Sequence, residues 1–244
     1  TMSRAGLVYQ HDDWALDRIG MAMLQSFGGS VADEEGNIVL DGAPFRALID
    51  YFAEGQVSFA RLLYQDRQNG PADGSGPYAI SFPFYLGMVR TSYSGDYRSE
   101  VGVGALPAGP GGAVSGQYGN IYAVPKDSPN QEEVWKFLEW LFFEPGPTGM
   151  TRMGHVFVLR GYPPIHRDDI PLIREFDDAP LLLGFVESLA VATSMESELM
   201  KAGARRWNFG QNIYGVLTGS LTPEEIIQNI VLDLRLQKME YDRR

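Results

Sequence analysis

The segment Leu106–Gly112 constrains the fold of this chain most, because proline and glycine dominate it. It reads Leu-Pro-Ala-Gly-Pro-Gly-Gly. Proline lacks a backbone N–H and glycine weakens both kinds of regular element, so this segment cannot lie inside a helix or a strand. Val101–Leu106 before it and Asn120–Val124 after it have strand-like composition. The sequence therefore predicts a loop between two short strands.

Helical patterns dominate the rest of the chain. Apolar side chains recur at helical spacing in Trp14–Phe27, Asp41–Phe52 and Trp207–Leu217. Ser128 and Thr222 each precede a proline and stand three residues before Gln131 and Glu225, the capping-box pattern of a helix start. A further short strand is predicted over Tyr78–Phe84. This inventory indicates an α/β fold that is rich in helices and has short strands.

Composition excludes several classes of protein. The 244 residues carry a net charge of −11, with basic residues scattered, which argues against nucleic acid and anionic membrane as partners. Cysteine is absent from the sequence, so disulfide scaffolds and thiol nucleophiles are excluded. No run of about 18 to 20 apolar residues is present, and the sequence therefore predicts no membrane-spanning helix.

Catalytic and cofactor motifs are not found. His11, His155 and His166 lie far apart and do not have metal-ligand spacing. The glycines of Gly102–Gly112 match no nucleotide-binding motif, and no nucleophile elbow is present. The sequence thus predicts no metal, no cofactor and no enzyme. It leaves open a Ser-His-Asp triad and a glycosidase carboxylate pair, since neither depends on local spacing.

One combination of motifs resembles a known family. The strand-and-loop segment Val101–Gly112 is followed by Ser115–Ser128 (SGQYGNIYAVPKDS) and by a helix with Val134–Leu141 (VWKFLEWL). This order resembles family 1 of the bacterial extracellular solute-binding proteins, the sugar-binding receptors of ABC importers, which include maltose-binding protein. Gly161–Pro164 and Leu217–Glu225 are similar to later segments of that family. Tyr78–Gly87 departs from it, because it lacks the tryptophan often found there.

The resemblance implies a periplasmic-binding-protein-like fold of type II. It places this chain in the C-terminal portion of such a protein, since family members are considerably longer. Residues 1–98 would be the first part of the C-terminal lobe, 99–150 a segment that returns to the N-terminal lobe, and 151–244 the closing part of the C-terminal lobe.

The function implied by the resemblance is capture without chemistry. Such a receptor binds a small solute, here a mono- or oligosaccharide, in the cleft between its lobes and presents it to the membrane subunits of an ABC permease. Its location would be periplasmic or extracellular, with or without a lipid anchor. The alternatives are a protein-interaction module and a carbohydrate-active enzyme domain.

Sugar recognition suggests candidate ligand-binding residues, because aromatic rings cover the C–H faces of a sugar and polar groups satisfy its hydroxyls. Trp207, with Arg206 beside it, occupies a family position that often faces the cleft, although a core position is the alternative. Gln117 and Tyr118 match a small-residue loop that lines the cleft in relatives, and otherwise form an ordinary turn.

Two further places are weighed in the same way. Phe82 and Phe84 are candidates for stacking on a sugar ring, and the alternative is a buried strand. Trp14 is a candidate beside His11–Asp13, where the alternative is a capped helix start.

Overall fold

The computed structural model of the chain describes residues 8–9, 13–40, 42–54, 79–80, 82–119 and 122–243. They divide into two units. The first comprises the described parts of Thr1–Ser81, Leu106–Tyr118 and Val191–Arg244, and the second those of Phe82–Ala105 and Gly119–Ala190. The predicted assignment of residues 1–98, 99–150 and 151–244 to lobes of a longer protein stays a prediction.

Helices dominate both units. In chain order they are α1 (Asp13–Ser26), α2 (Ala43–Glu54), α3 (Tyr85–Ser92), α4 (Tyr97–Glu100), α5 (Gln131–Phe142), α6 (Arg152–Leu159), α7 (Ala179–Ser188), α8 (Met195–Lys201), α9 (Phe209–Leu217) and α10 (Pro223–Asp242). Short 3-10 helices span Arg167–Glu175 and Leu189–Val191.

The described strands form two parallel pairs, both in the first unit. β1 (Val8–Tyr9) pairs with β2 (Ala79–Ile80). β3 (Ser115–Gln117) pairs with β4 (Ala192–Ser194), with Ser115 opposite Ala192 and Gln117 opposite Ser194. Each strand has two or three residues, so the helices supply most of the packing.

The core of the first unit lies between α1, α2, α9 and α10. Phe52 on α2 contacts Phe209 at the start of α9, and Phe45 on α2 contacts Trp207. Gly20 on α1 has no side chain where the Phe209 ring lies, and a Cβ at Gly20 would overlap that ring. Close packing of the aromatic core therefore requires a glycine at position 20 of α1.

The capping box predicted at Thr222 is confirmed. The Thr222 hydroxyl accepts a hydrogen bond from the Glu225 backbone N–H at 3.2 Å, and the Thr222 N–H donates to the Glu225 carboxylate at 2.8 Å. These bonds satisfy two N–H groups at the helix terminus, and the hydrogen bonds that the Thr222 N–H and hydroxyl donate to the carboxylate lower the pKa of Glu225. Ile227, Ile230, Val231 and Leu234 of α10 are buried.

The capping box predicted at Ser128 is wrong. Helix α5 begins at Gln131 after Asn130, which makes no side-chain cap. The Gln131 side-chain amide donates instead to the carbonyls of Pro125 and Lys126, in the turn before the helix. The glutamine is thus used to close that turn.

The core of the second unit lies between α3, α6, α7 and the 3-10 helix Arg167–Glu175. Its buried residues include Leu86, Met150, Val158, Ile173 and Leu182. The Arg90 guanidinium on α3 bonds Asp178 at 2.6 Å and also donates to the carbonyls at the end of α6. The ion pair, which is largely shielded from solvent, links α3 to the start of α7, and the other two bonds link α3 to α6.

Three predicted strands differ in the structure. Val101–Leu106 is irregular, since Val101 and Val103 pack on the core of the second unit and the Val103 carbonyl fits against Gly184. Within Asn120–Val124, residues 122–124 form no strand, and Asn120 and Ile121 lie outside the described residues. In Tyr78–Phe84 the described strand is Ala79–Ile80.

Candidate ligand-binding site

The described site begins at the carboxyl end of β3. Parallel pairing places Gln117, the last residue of β3, beside Ser194, the last residue of β4. Ligands of α/β proteins commonly bind outside the carboxyl ends of parallel strands. Gln117 is exposed at this end, and its side chain can donate and accept hydrogen bonds.

Tyr118 follows Gln117 and is held by α1. Its hydroxyl donates to the Arg18 carbonyl at 2.9 Å, and the Arg18 guanidinium lies 4.8 Å from the ring centroid. The ring also lies close to Gly116, where a Cβ would stand 2.7 Å from it. The phenol is therefore fixed in one orientation.

The Pro/Gly loop fixes the approach to β3 by clipping onto the end of α1. The Ser26 hydroxyl accepts from the Gly109 N–H at 3.0 Å and donates to the Gly112 carbonyl at 3.2 Å. The Ser26 carbonyl accepts from the Gly111 N–H at 2.8 Å. A Cβ at Gly109 or Gly111 would overlap the backbone of α1 or of the turn after it. We call Ser26 with Gly109–Gly112 the glycine clip.

Trp207 lies in the core of the first unit. Its side chain is 1% exposed, and it stacks on Phe209 with ring centroids 5.3 Å apart and planes 12° apart. Phe45 contacts the indole from another side at 5.9 Å. Within the described part of the chain the buried indole N–H has no hydrogen-bond partner. A ligand contact through Trp207 would need an opening of this core, and it stays a prediction.

Arg206 is exposed beside Trp207, and its backbone is fixed by α10. Its N–H donates to the Gln237 side-chain oxygen at 3.1 Å, and its carbonyl accepts from the Gln237 amide at 3.0 Å. Arg206 therefore presents a guanidinium to solvent from a rigid backbone. Its contact with a ligand stays a prediction.

Phe82 and Phe84 belong to the second unit, in the turn that leads into α3. Their rings are nearly parallel, with planes 4° apart and centroids 5.9 Å apart, and both are half-buried. Phe84 also contacts Tyr85 at 5.0 Å and Tyr162 at 6.4 Å. Half-buried aromatic rings of this kind can pack against the C–H faces of a sugar. The two phenylalanines lie in a turn, so they do not form the buried strand that was considered as the alternative.

Trp14 lies in the first turn of α1, four residues before Arg18. Its side chain, like His11 and Asp12, lies outside the described residues. In the first unit the structure thus brings Tyr118 to α1, the helix that carries Trp14. Arg18, which holds Tyr118, is a residue that sequence reasoning missed, and its position one helical turn after Trp14 was the available signal.

A charged pair lies on the helix that follows β4. Glu198 is buried on α8, accepts from the Ser30 hydroxyl at 2.5 Å and pairs with Lys201 at 2.8 Å. Burial by itself raises the pKa of Glu198, but the hydrogen bonds from Lys201 and Ser30 outweigh it and hold the pKa below its ordinary value. The carboxylate stays ionised and ties α8 to the segment after α1.

No three His, Cys, Asp or Glu side chains among the described residues form a group that could hold a metal ion. None of the helices that the structure describes is long and apolar enough to cross a membrane.

Comparison with known proteins gives a fold and a set of relatives. The chain is similar in structure to maltose-bound MalE3 of T. maritima, with a TM-score of 0.63 and 20% identity over 94% of this chain and 60% of that one. This likeness confirms the predicted helix-rich fold with short strands, of the type II periplasmic-binding-protein class. Putative binding proteins of Brucella abortus (strain 2308) and Brucella suis biovar 1 (strain 1330) are each 31% identical over 128 residues.

These alignments cover 48% of this chain and 29% of each Brucella protein, so the chain spans well under two thirds of the relatives it matches. The family model described as bacterial extracellular solute-binding protein matches residues 5–146, which include the glycine clip, β3 and α5. More than half of the sequence lies within that match. The chain therefore belongs to the family of bacterial extracellular solute-binding proteins.

Proposed function

We propose that this chain is part of a receptor that captures a carbohydrate and presents it to the permease of an ABC importer, without chemistry on the solute. The observation that carries the proposal is the family match over residues 5–146. The similar fold of a protein solved with maltose supports carbohydrate as the class of solute. Family membership supports a periplasmic or extracellular location.

The side chains available at the carboxyl end of β3 suit a sugar. Gln117 offers both donors and acceptors, and Tyr118 follows it in a fixed orientation. We assign solute contact first to these two residues. In the second unit, taken by itself, Phe82 and Phe84 form a half-buried aromatic pair of the kind that packs against a sugar C–H face. Contacts by Trp14, Arg206 and Trp207 stay predictions.

A thermal-shift screen tests the class of solute. The panel contains mono- and oligosaccharides, with amino acids and polyols as comparison sets. A ligand at about 100 times its Kd stabilises the folded state by about 2.7 kcal/mol. For a chain of this size, that is a rise of roughly 5–10 °C in melting temperature. We expect a saccharide to produce it, and a rise with amino acids alone would contradict the carbohydrate assignment.

Calorimetric titration of variants tests the site. Gln117→Ala should weaken saccharide binding by about tenfold or more, since one lost polar contact costs about 1–2 kcal/mol. The matched control is Gln228→Ala on the exposed side of α10, which should bind as the original chain does. Equal affinity of both variants would refute the assignment of Gln117 while leaving the receptor function intact.

A further inference from the structure

One side chain of helix α10, that of Gln237, holds the irregular segment that leads into α9. Its oxygen accepts hydrogen bonds from the backbone N–H groups of Arg205 and Arg206 at 2.9 and 3.1 Å. Its amide group donates to the Arg206 carbonyl at 3.0 Å and to the Asp233 carboxylate at 2.8 Å. A glutamine side chain has two donors and two acceptor sites, so these four bonds use all of its hydrogen-bonding capacity.

A second contact with α10 fixes the segment on the other side of Trp207. Asp233, one helical turn before Gln237, accepts a hydrogen bond from the Asn208 side-chain amide at 2.9 Å. The Trp207 ring between the two contacts stacks in the core. The backbone of Arg206 is therefore fixed, while its side chain is exposed and makes no hydrogen bond or ion pair with another described residue.

Helix α1 connects this segment with the candidate site. The Asp17 carboxylate accepts a hydrogen bond from the Gly210 N–H at 2.7 Å, in the first turn of α9. The next residue of α1, Arg18, accepts through its carbonyl from the Tyr118 hydroxyl at 2.9 Å. Adjacent residues of one helix thus bind the start of α9 and the residue that follows Gln117. Both contacts lie within the first unit.

The exposed guanidinium of Arg206 has the chemistry that a saccharide requires. It carries five N–H donors in a fixed plane, and the hydroxyl and ring oxygens of a sugar accept hydrogen bonds. A long side chain donates with the right geometry only if the backbone that carries it is held in place. Gln237 supplies that restraint, because it bonds both the N–H and the carbonyl of Arg206.

We propose that Gln237 is a positioning residue of the solute site, which fixes the backbone from which Arg206 donates hydrogen bonds to a saccharide. Gln237 acts through Arg206 and does not touch the solute itself. The inference rests on the proposed receptor function. It adds to the site a residue of α10, which lies outside the part of the chain that the family model matches.

A double-mutant cycle measured by calorimetric titration tests the coupling. The probes are glucose, xylose, maltose and maltotriose, each titrated into the 244-residue chain. Gln237→Ala and Arg206→Ala should each weaken binding by at least about tenfold. The double variant should bind no more weakly than Arg206→Ala, because Gln237 has no further role once the guanidinium is removed, whereas independent losses would multiply to about hundredfold.

Two other variants separate positioning from folding. Gln228→Ala, at an exposed glutamine of the same helix, is the matched control and should bind as the original chain does. If Gln237→Ala does not fold, Gln237→Glu replaces it in the cycle with the same expected result. Its carboxylate can still accept from both N–H groups, but it cannot donate to the Arg206 carbonyl.

The outcomes distinguish this inference from the proposed function. Normal binding by Gln237→Ala, normal binding by Arg206→Ala, or losses that multiply in the double variant would overturn the positioning role, while binding by the original chain would still support a saccharide receptor. If none of the four saccharides binds the original chain, the carbohydrate assignment and the positioning role are both overturned.

Discussion

Replacing Gly109 by alanine should show how strongly the glycine clip holds the approach to β3. The new Cβ would overlap the carbonyl and hydroxyl oxygens of Ser26. Neither group can swing away, since the carbonyl belongs to the last turn of α1 and the buried hydroxyl bonds Gly112. Gly109 does not have a positive φ, so alanine brings no backbone strain of its own. The substitution therefore isolates the close approach of two backbones.

The expected cost follows from the contacts. Overpacking at a site that cannot yield costs about 1–3 kcal/mol. The bonds from Gly109 to the Ser26 hydroxyl and from Gly111 to the Ser26 carbonyl would stretch or break, at about 1 kcal/mol each. The free energy of unfolding should fall by about 2–5 kcal/mol. For a chain of this size the melting temperature then falls by roughly 5–15 °C.

Urea unfolding followed by tryptophan fluorescence measures this cost, and Gly104→Ala is the matched control. Gly104 lies five residues earlier, also without a positive φ, and a Cβ there would meet no heavy atom within 4 Å. Alanine at Gly104 should leave stability unchanged or raise it by about 0.4–1 kcal/mol, because it restricts the unfolded chain. The two substitutions should thus differ in sign. If Gly109→Ala unfolds at the same urea concentration as Gly104→Ala, the clip does not hold the loop.

Two further predictions concern buried carboxylates. Asp169→Ala should lower the free energy of unfolding by about 2–4 kcal/mol in urea, because the carboxylate accepts from the Thr151 N–H at 2.8 Å and hydroxyl at 2.5 Å. Asp168→Ala, on an exposed neighbour, should change it by less than about 0.5 kcal/mol, and equal losses would refute this role. Because folding lowers the pKa of Glu198, its carboxylate stabilises the folded state at pH values above the pKa that it has in the unfolded chain. This stabilisation is lost as the pH falls through the pKa of the folded state. The stability lost in Glu198→Gln should therefore shrink from pH 7 toward about pH 3, and a loss independent of pH would contradict it.

Local signals predicted the long helices well. The stripes of Trp14–Phe27 and Asp41–Phe52 correspond to α1 and α2, and the box at Thr222 starts α10. In each case the periodic apolar face and the residues that end the helix lie within one stretch of sequence. The Ser128 motif shows the limit of such signals, because Gln131 also had carbonyl groups within reach in the preceding turn.

The short strands could not be predicted in the same way. β4 has three residues, and its pairing partner β3 lies more than 70 positions earlier. A strand of that length has no periodicity to detect, and its existence depends on a contact distant in sequence. Val101–Leu106 had the composition of a strand, yet it packs against α7 at Gly184. Tertiary contacts outweighed β propensity there.

The family resemblance selected Gln117 and Tyr118 as candidates in a predicted loop, of which residues 115–117 form strand β3 in the structure. Gln117 and Tyr118 lie at the carboxyl end of a parallel strand, which is where ligands of α/β proteins commonly bind. The orientation of Tyr118 depends on Arg18, a hundred residues away, and no local pattern contains that contact. Trp207 illustrates the opposite case, since its family position favoured ligand contact whereas its ring stacks in the core.

The packing of the chain requires the glycines on which the family resemblance rests. Their presence therefore does not depend on a bound ligand. Gly109 and Gly111 are small because the backbone around the end of α1 leaves no room for a Cβ. Gly116 is small because the Tyr118 ring lies where its side chain would be. These requirements fix the path of the chain into β3 and the orientation of the tyrosine, whatever solute is bound. The side chain of Gln117 points into solvent and is under no such requirement. Solute preference could therefore change at Gln117 without any change in the clip, and a saturation library at that position should yield folded variants that differ in affinity.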